Sequence, residues 1–297
     1  MQKIVPHLWF DTQAKEAAQF YASTFGGDSK VTYSGELHDT PSGDTDMVSF
    51  TVLGYDFMAI SAGPVFQFNP SISFVVVSRD ADEIDGWWKT LSEGGTALMP
   101  LGEYPFSEKY GWIQDKYGVS WQLMSVAQAP NPPTQRVLPT LMFVGDVCGK
   151  AEEAVAFYTT VFPDSEVGEA MRYGAGEEPD IAGTIKHVDF NLFNEQFAAM
   201  DSAQMHGFTF GEAVSLLVNC EDQAEIDRYW GKLSAVPEAE QCGWLKDKYG
   251  VSWQIVPIEM NEMMAKASPE QMARVTKAFL QMKKFDVAEL RRAFEGK

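Results

Sequence analysis

The chain has 297 residues, 45% of them hydrophobic and 13% aromatic, which is enough to fill the cores of about two ordinary domains. A net charge of −19 makes nucleic acid and anionic membrane surfaces poor candidate partners, because an acidic body repels phosphate. No stretch reaches the roughly 18 consecutive apolar residues of a membrane span, and Met1 to Phe10 lacks the apolar core of a secretory signal, so a cytoplasmic protein is expected.

In chain order, a first strand places Val5, His7 and Trp9 on one face, since side chains alternate along a strand. Ala14, Ala17, Ala18, Tyr21 and Phe25 then recur at helical spacing. Glu36 to Asp46 clusters oxygen donors, but its Pro and Gly spacing matches no calcium-binding loop, and it reads as a solvated surface loop. Val48, Phe50 and Val52, then Phe57 and Ala59, alternate as strands do, and Ser71 to Val77 is β-rich. A second helix follows on Ile84, Trp87, Trp88 and Leu91, and a hairpin closes the unit around the Asp115 to Gly118 turn.

The whole pattern is then written again. Gly111-Trp-Ile-Gln-Asp-Lys-Tyr-Gly-Val-Ser-Trp-Gln122 returns as Gly243-Trp-Leu-Lys-Asp-Lys-Tyr-Gly-Val-Ser-Trp-Gln254, with only two of the positions changed. The first helical stripe returns as Ala151, Ala154, Val155, Tyr158 and Phe162, 137 residues on (151 − 14), and the second as Ile226, Tyr229, Trp230 and Leu233, 142 on (226 − 84). The hairpin motif returns after only 132 (243 − 111), so ten residues are missing from the second copy between its second helix and its last hairpin. Each copy is expected to read strand, helix, three strands, twice over, with mostly antiparallel pairing. The expected organisation is module 1 at 1–128, a proline-rich linker at 129–136, module 2 at 137–258 and a helical tail at 259–297.

The tail carries 8 basic and 6 acidic residues, the only region with a positive balance. Ser268 and Asp286 each open a capped helix there, the first with Met272, Val275, Phe279 and Met282 as its apolar face. That face is expected to dock on the protein's own body, the alternative being a partner-binding tail. The three cysteines, Cys148, Cys220 and Cys242, are odd in number and lack CxxC spacing, which points to neither disulfides nor a zinc site.

The Leu8-Trp-Phe10 strand, Ala17-Ala-Gln-Phe-Tyr21, Phe25-Gly26, the Asp115-Lys-Tyr-Gly-Val-Ser-Trp-Gln122 ending with its second copy, and Gln281-Met-Lys-Lys284 together resemble the PhnB-like branch of the vicinal-oxygen-chelate (glyoxalase and bleomycin-resistance) superfamily, also described as 3-demethylubiquinone 3-methyltransferase-like. The resemblance implies an α+β fold of tandem glyoxalase-like domains, in which pairs of βαβββ units form a curved mixed sheet around a pocket. It also implies that a tandem chain could be a fused pseudo-dimer, active as a monomer, with a homodimer as the alternative.

In metal-dependent relatives the last-strand ligand is a glutamate, and the resemblance places that position at Gln122 and Gln254, whose neutral amides bind divalent ions far more weakly. The first-strand ligand falls near Val5 and Leu138, with His7 two residues on and Thr140 as its counterpart. No metal ligands and no cofactor are therefore expected. His7, Trp9, Trp112, Gln122, His187, Trp244 and Gln254 are the candidate ligand-binding residues, each open to a plainer reading as core or rim. No GxGxxG follows a strand, so an adenosyl-cofactor site lacks its residues, and no GxSxG or GxxxxGK[ST] motif supports serine hydrolysis or phosphate transfer.

The leading expectation is a protein that holds a small apolar or aromatic ligand without a conventional metal centre. The alternatives are a divalent-metal lyase, isomerase or dioxygenase using His7, Gln122 or the Glu36 to Asp46 segment, and an interaction module acting through the tail.

Overall fold

The structure is a computed structural model that describes residues 1–129 and 133–297; Pro130, Asn131 and Pro132 of the expected linker lie outside the described residues. The first copy reads β1 (Ile4–Phe10), α1 (Ala14–Phe25), β2 (Lys30–Thr40), β3 (Gly43–Val52), β4 (Tyr55–Ser61), β5 (Ile72–Ser78), α2 (Ala81–Ser92), β6 (Thr96–Tyr104), β7 (Ser107–Gln114) and β8 (Ser120–Ser125). The second reads β9 (Val137–Phe143), α3 (Ala151–Val161), β10 (Glu166–Arg172), β11 (Ile185–Leu192), β12 (Glu195–Asp201), β13 (Val214–Cys220), α4 (Gln223–Leu233), β14 (Trp244–Lys246) and β15 (Ser252–Pro257). Copy two therefore has one strand fewer than expected: the ten missing residues remove the counterpart of β6. The segment from Glu36 to Asp46 is also not a loop, because β2 and β3 pair across it, Glu36 opposite Asp46, and turn only at Pro41 and Ser42.

Each copy folds around its own aromatic core. The α1 stripe is fully buried, and Tyr21, Phe25, Phe50, Phe57, Phe74 and Trp121 meet between the strands of the copy's two halves. Asp115 organises the turn beneath them. Its Oδ1 accepts from the backbone N–H groups of Tyr117 (2.8 Å) and Val119 (3.1 Å), and its Oδ2 from the Tyr21 hydroxyl (2.8 Å) and the Trp121 indole (2.9 Å). Asp247 repeats the arrangement with Tyr249, Val251, Tyr158 and Trp253. Four donors make a buried carboxylate tolerable, which explains on packing grounds why the Asp-Lys-Tyr-Gly-Val-Ser-Trp motif occurs twice.

The sheets do not respect the copies. One runs β14-β15-β13-β1-β4-β3-β2 and the other β10-β11-β12-β9-β5-β8-β7-β6. In the first, β1 of copy one pairs antiparallel with β13 of copy two; in the second, β5 of copy one pairs antiparallel with β9 of copy two. The copies are thus joined edge to edge at both seams, and each sheet takes one unit from each.

The tail forms three helices, α5 (Ile258–Lys266), α6 (Pro269–Phe279) and α7 (Val287–Glu295), one more than expected. Ser268 and Gln271 form a reciprocal capping box at the start of α6, and Asp286 accepts from the Glu289 N–H at the start of α7. Val275, Phe279, Phe285, Val287 and Leu290 are buried against the body. Between α6 and α7 the carbonyls of Met282 and Lys283 accept from the N–H groups of Cys242 and Gly243, at 2.8 and 2.7 Å, so the tail occupies the edge that lost its strand. Gly243 sits at φ 82°, and a Cβ there would lie 2.5 Å from the Phe285 ring, so glycine is required on both counts. Among the described residues no helix is long and apolar enough to cross a membrane.

Candidate functional site

Strand alternation sorts β1 into two faces: Ile4, Leu8 and Phe10 point into the core of copy one, while Val5, His7 and Trp9 point to the other side of the sheet. Against that second face lies a cavity of about 490 Å³. Met47, Met58 and Ile60 come to it from β3 and β4, Leu217 and Val256 from β13 and β15, and Met260, Met264, Phe279, Leu280 and Phe285 from the tail, which roofs it. An enclosure of this size, mostly apolar with a few polar atoms, is what small-molecule sites look like.

The polar atoms of its floor straddle the seam between copies. His7 on β1 is paired with Ser215 on β13, and Gln254 on the neighbouring β15 donates its Nε2 hydrogen to Ser215 Oγ at 2.9 Å. His7 is 7% exposed, its Nδ1 is enclosed without a hydrogen-bond partner among the described residues, and burial pushes its imidazole down to about 4, so the ring is neutral at physiological pH. Trp244 meets the His7 ring edge to face at 5.6 Å between centroids, and Trp9 at 6.0 Å. Trp9 is fixed in turn by its indole hydrogen bond to the Gly63 carbonyl (2.9 Å) and by the Phe66 ring at 4.9 Å.

The other sheet builds the same floor and fills it. Ser73 on β5 is paired with Thr140 on β9, and Gln122 on β8 donates to Ser73 Oγ at 2.7 Å. Here, however, the hydroxyl of Tyr110 donates to Gln122 Oε1 at 2.6 Å, and Tyr110, Trp112, Met142 and Val144 form a buried cluster with Met124, Met200 and Phe208 packed against it. Trp112 is tied to Ser120 Oγ at 2.7 Å.

Of the sequence candidates, His7, Trp9, Trp244 and Gln254 thus come together on one cavity, drawn from both copies, while Trp112 and Gln122 lie on the corresponding face of the other sheet. His187 stands apart on β11, with 42% of its side chain exposed and its Nε2 3.0 Å from Asp189 Oδ1. Sequence reasoning missed Ser215 and the methionines of β3, β4 and the tail. The deletion in copy two was the one available signal, since a lost strand leaves an edge that another segment must cover.

Two sheets, each made of paired units of this kind and wrapped on a pocket, define the glyoxalase type of fold. Maize glyoxalase I aligns with 86% of this chain and 93% of its own at a TM-score of 0.53 and 13% identity, a likeness of fold alone. The chain belongs to the family described as 3-demethylubiquinone-9 3-methyltransferase, whose model matches residues 2–124 and again 135–256. Protein YjdN of Escherichia coli (strain K12) is 27% identical over 143 residues, 42% of this chain and 97% of its own length. A PhnB protein of Bacillus cereus is 39% identical over 42% of this chain and 100% of its own, with a TM-score of 0.39. Both relatives thus match about one copy.

Proposed function

We propose that this protein binds a small apolar or aromatic molecule in the cavity between β1, β13 and the tail, without a conventional metal centre. The single observation that carries the reading is the wall itself: aromatic and methionine side chains surround a floor whose polar strand residues are His7 and Gln254, the latter donating to the buried Ser215. An imidazole with an amide is a poor donor set for a divalent ion, and the cavity's carboxylates and thiol, Glu212, Glu238 and Cys242, form no cluster of three ligand atoms with His7 among the described residues. Gln122 serves the other sheet, so it does not combine with His7. Glu36, His38 and Asp44 do offer ligand atoms within 4.8 Å of one another, but all three are exposed on the β2–β3 hairpin rather than on the cavity floor.

The test is elemental analysis of protein purified without a histidine tag, together with thermal shifts over Mn²⁺, Fe²⁺, Co²⁺, Ni²⁺ and Zn²⁺ and calorimetric titration with aromatic probes. Saturable probe binding that His7→Trp or Leu217→Trp blocks is the expected result. Near-stoichiometric metal, with a stabilising shift that His7→Ala abolishes, would instead establish the metal-dependent reading.

A further inference from the structure

The two floors are the same construction, and one of them shows what its glutamine accepts. Gln122 and Gln254 occupy equivalent positions, 132 residues apart (254 − 122), each donating through Nε2 to an equivalent serine. On the filled side the remaining acceptor, Gln122 Oε1, takes the phenolic hydrogen of Tyr110. At the same sequence offset (110 + 132 = 242) the open side has Cys242, which lies in the turn before β14 rather than on a strand and lines the cavity without supplying a hydroxyl. Gln254 lines the cavity and its Oε1 has no protein donor among the described residues, on the same floor as a histidine whose Nδ1 is also unpartnered. The open side thus has the acceptor without the phenol that meets it on the filled side.

We propose that the ligand is a neutral aromatic alcohol of the phenol class, whose hydroxyl donates to Gln254 Oε1 and takes the place that Tyr110 occupies against Gln122. This rests on the cavity being the binding site, as argued above. Charge complementarity favours the neutral form: no lysine or arginine lines the cavity among the described residues, Glu238 does, and Glu212 already holds Lys246 at 2.7 Å, so a carboxylate or phenolate would lose its hydration without gaining a counter-ion.

The experiment compares 2-naphthol, 2-methoxynaphthalene and 2-naphthoate on the full chain by titration calorimetry at pH 7, where the naphthol is protonated. One hydrogen bond to a buried neutral acceptor predicts that naphthol binds about three- to tenfold more tightly than its methyl ether, and that naphthoate binds more weakly than either. Gln254→Met is expected to bring naphthol down to the affinity of the ether, whereas Gln122→Met leaves the preference in place. Equal affinity for naphthol and ether, or tightest binding of naphthoate, overturns the phenol assignment while leaving the cavity as a binding site. No binding of any of the three overturns the reading of the cavity together with this one. The wild-type comparison decides the matter even if a variant fails to fold.

Discussion

His7 and Trp244 meet edge to face with ring centroids 5.6 Å apart, although one belongs to the first strand of copy one and the other to the closing hairpin of copy two. The contact exists because β1 and β13 are hydrogen-bonded neighbours, and it places a neutral imidazole and a large aromatic ring on the wall of one cavity. Neither copy alone could assemble that wall.

The buried imidazole makes stability depend on pH. Its folded value of about 4 lies below the ordinary 6.5 because burial penalises the charged form. Its contribution is therefore fully present above pH 6.5 and is lost as pH falls through 4, by roughly 3 kcal/mol in all. Urea unfolding of wild type and His7→Phe at pH 7.5 and 4.5 should show the variant losing less stability than wild type on acidification. Equal losses would mean that His7 takes on a proton in the folded state as easily as in the unfolded one.

Glu195 titrates in the opposite sense. It caps the start of β1, accepting from the backbone N–H groups of Lys3 and Ile4, yet burial pushes its carboxyl up to about 7. A raised carboxyl contributes stability that is present below its unfolded value and lost as pH rises through 7. Glu195→Gln should accordingly gain on wild type between pH 5 and pH 8, by on the order of 2 kcal/mol, as read from denaturation midpoints at the two pH values.

Asp115 and Asp247 should be the costliest polar positions to truncate. Asp115→Ala leaves the Tyr21 hydroxyl, the Trp121 indole and two backbone N–H groups without their acceptor, an expected loss of about 3–5 kcal/mol. Asp247→Ala should match it, because the four donors are repeated. Thermal unfolding monitored by near-ultraviolet circular dichroism would detect both, and a change in either melting temperature within that of a surface substitution would contradict the assigned role.

The tail should behave as part of the body. Phe285 is 2% exposed and packs on Gly243, and Phe279 forms part of the cavity roof. Phe285→Ala is expected to cost about 3–5 kcal/mol, and Phe279→Ala to cost less while increasing the binding of a hydrophobic dye. A stable Phe285→Ala variant with unchanged dye binding would show that the tail does not depend on this anchor.

The sequence by itself determined what depends on local periodicity and on repetition. The helical stripes at Ala14 to Phe25 and Ala151 to Phe162, the turn around Asp115 and the capped helices at Ser268 and Asp286 were legible because each is specified by residues a few positions apart. The β2–β3 hairpin was misread as a loop because the polar residues of its exposed end resemble a solvated surface segment; pairing across it satisfies backbone groups that composition does not report. The glutamines at the positions where the resemblance implies a glutamate could be read along the chain, but not which histidine would stand beside each.

Only the tertiary structure decided that His7 faces Ser215 and Gln254 rather than Gln122, since strand partners across a seam are chosen by edge hydrogen bonds and by the fit of two separate cores. The same holds for the difference between the two floors. Tyr110 fills one, while over the other the tail lies along the edge where copy two lacks a counterpart of β6, supplying backbone acceptors and apolar cover that such an edge needs.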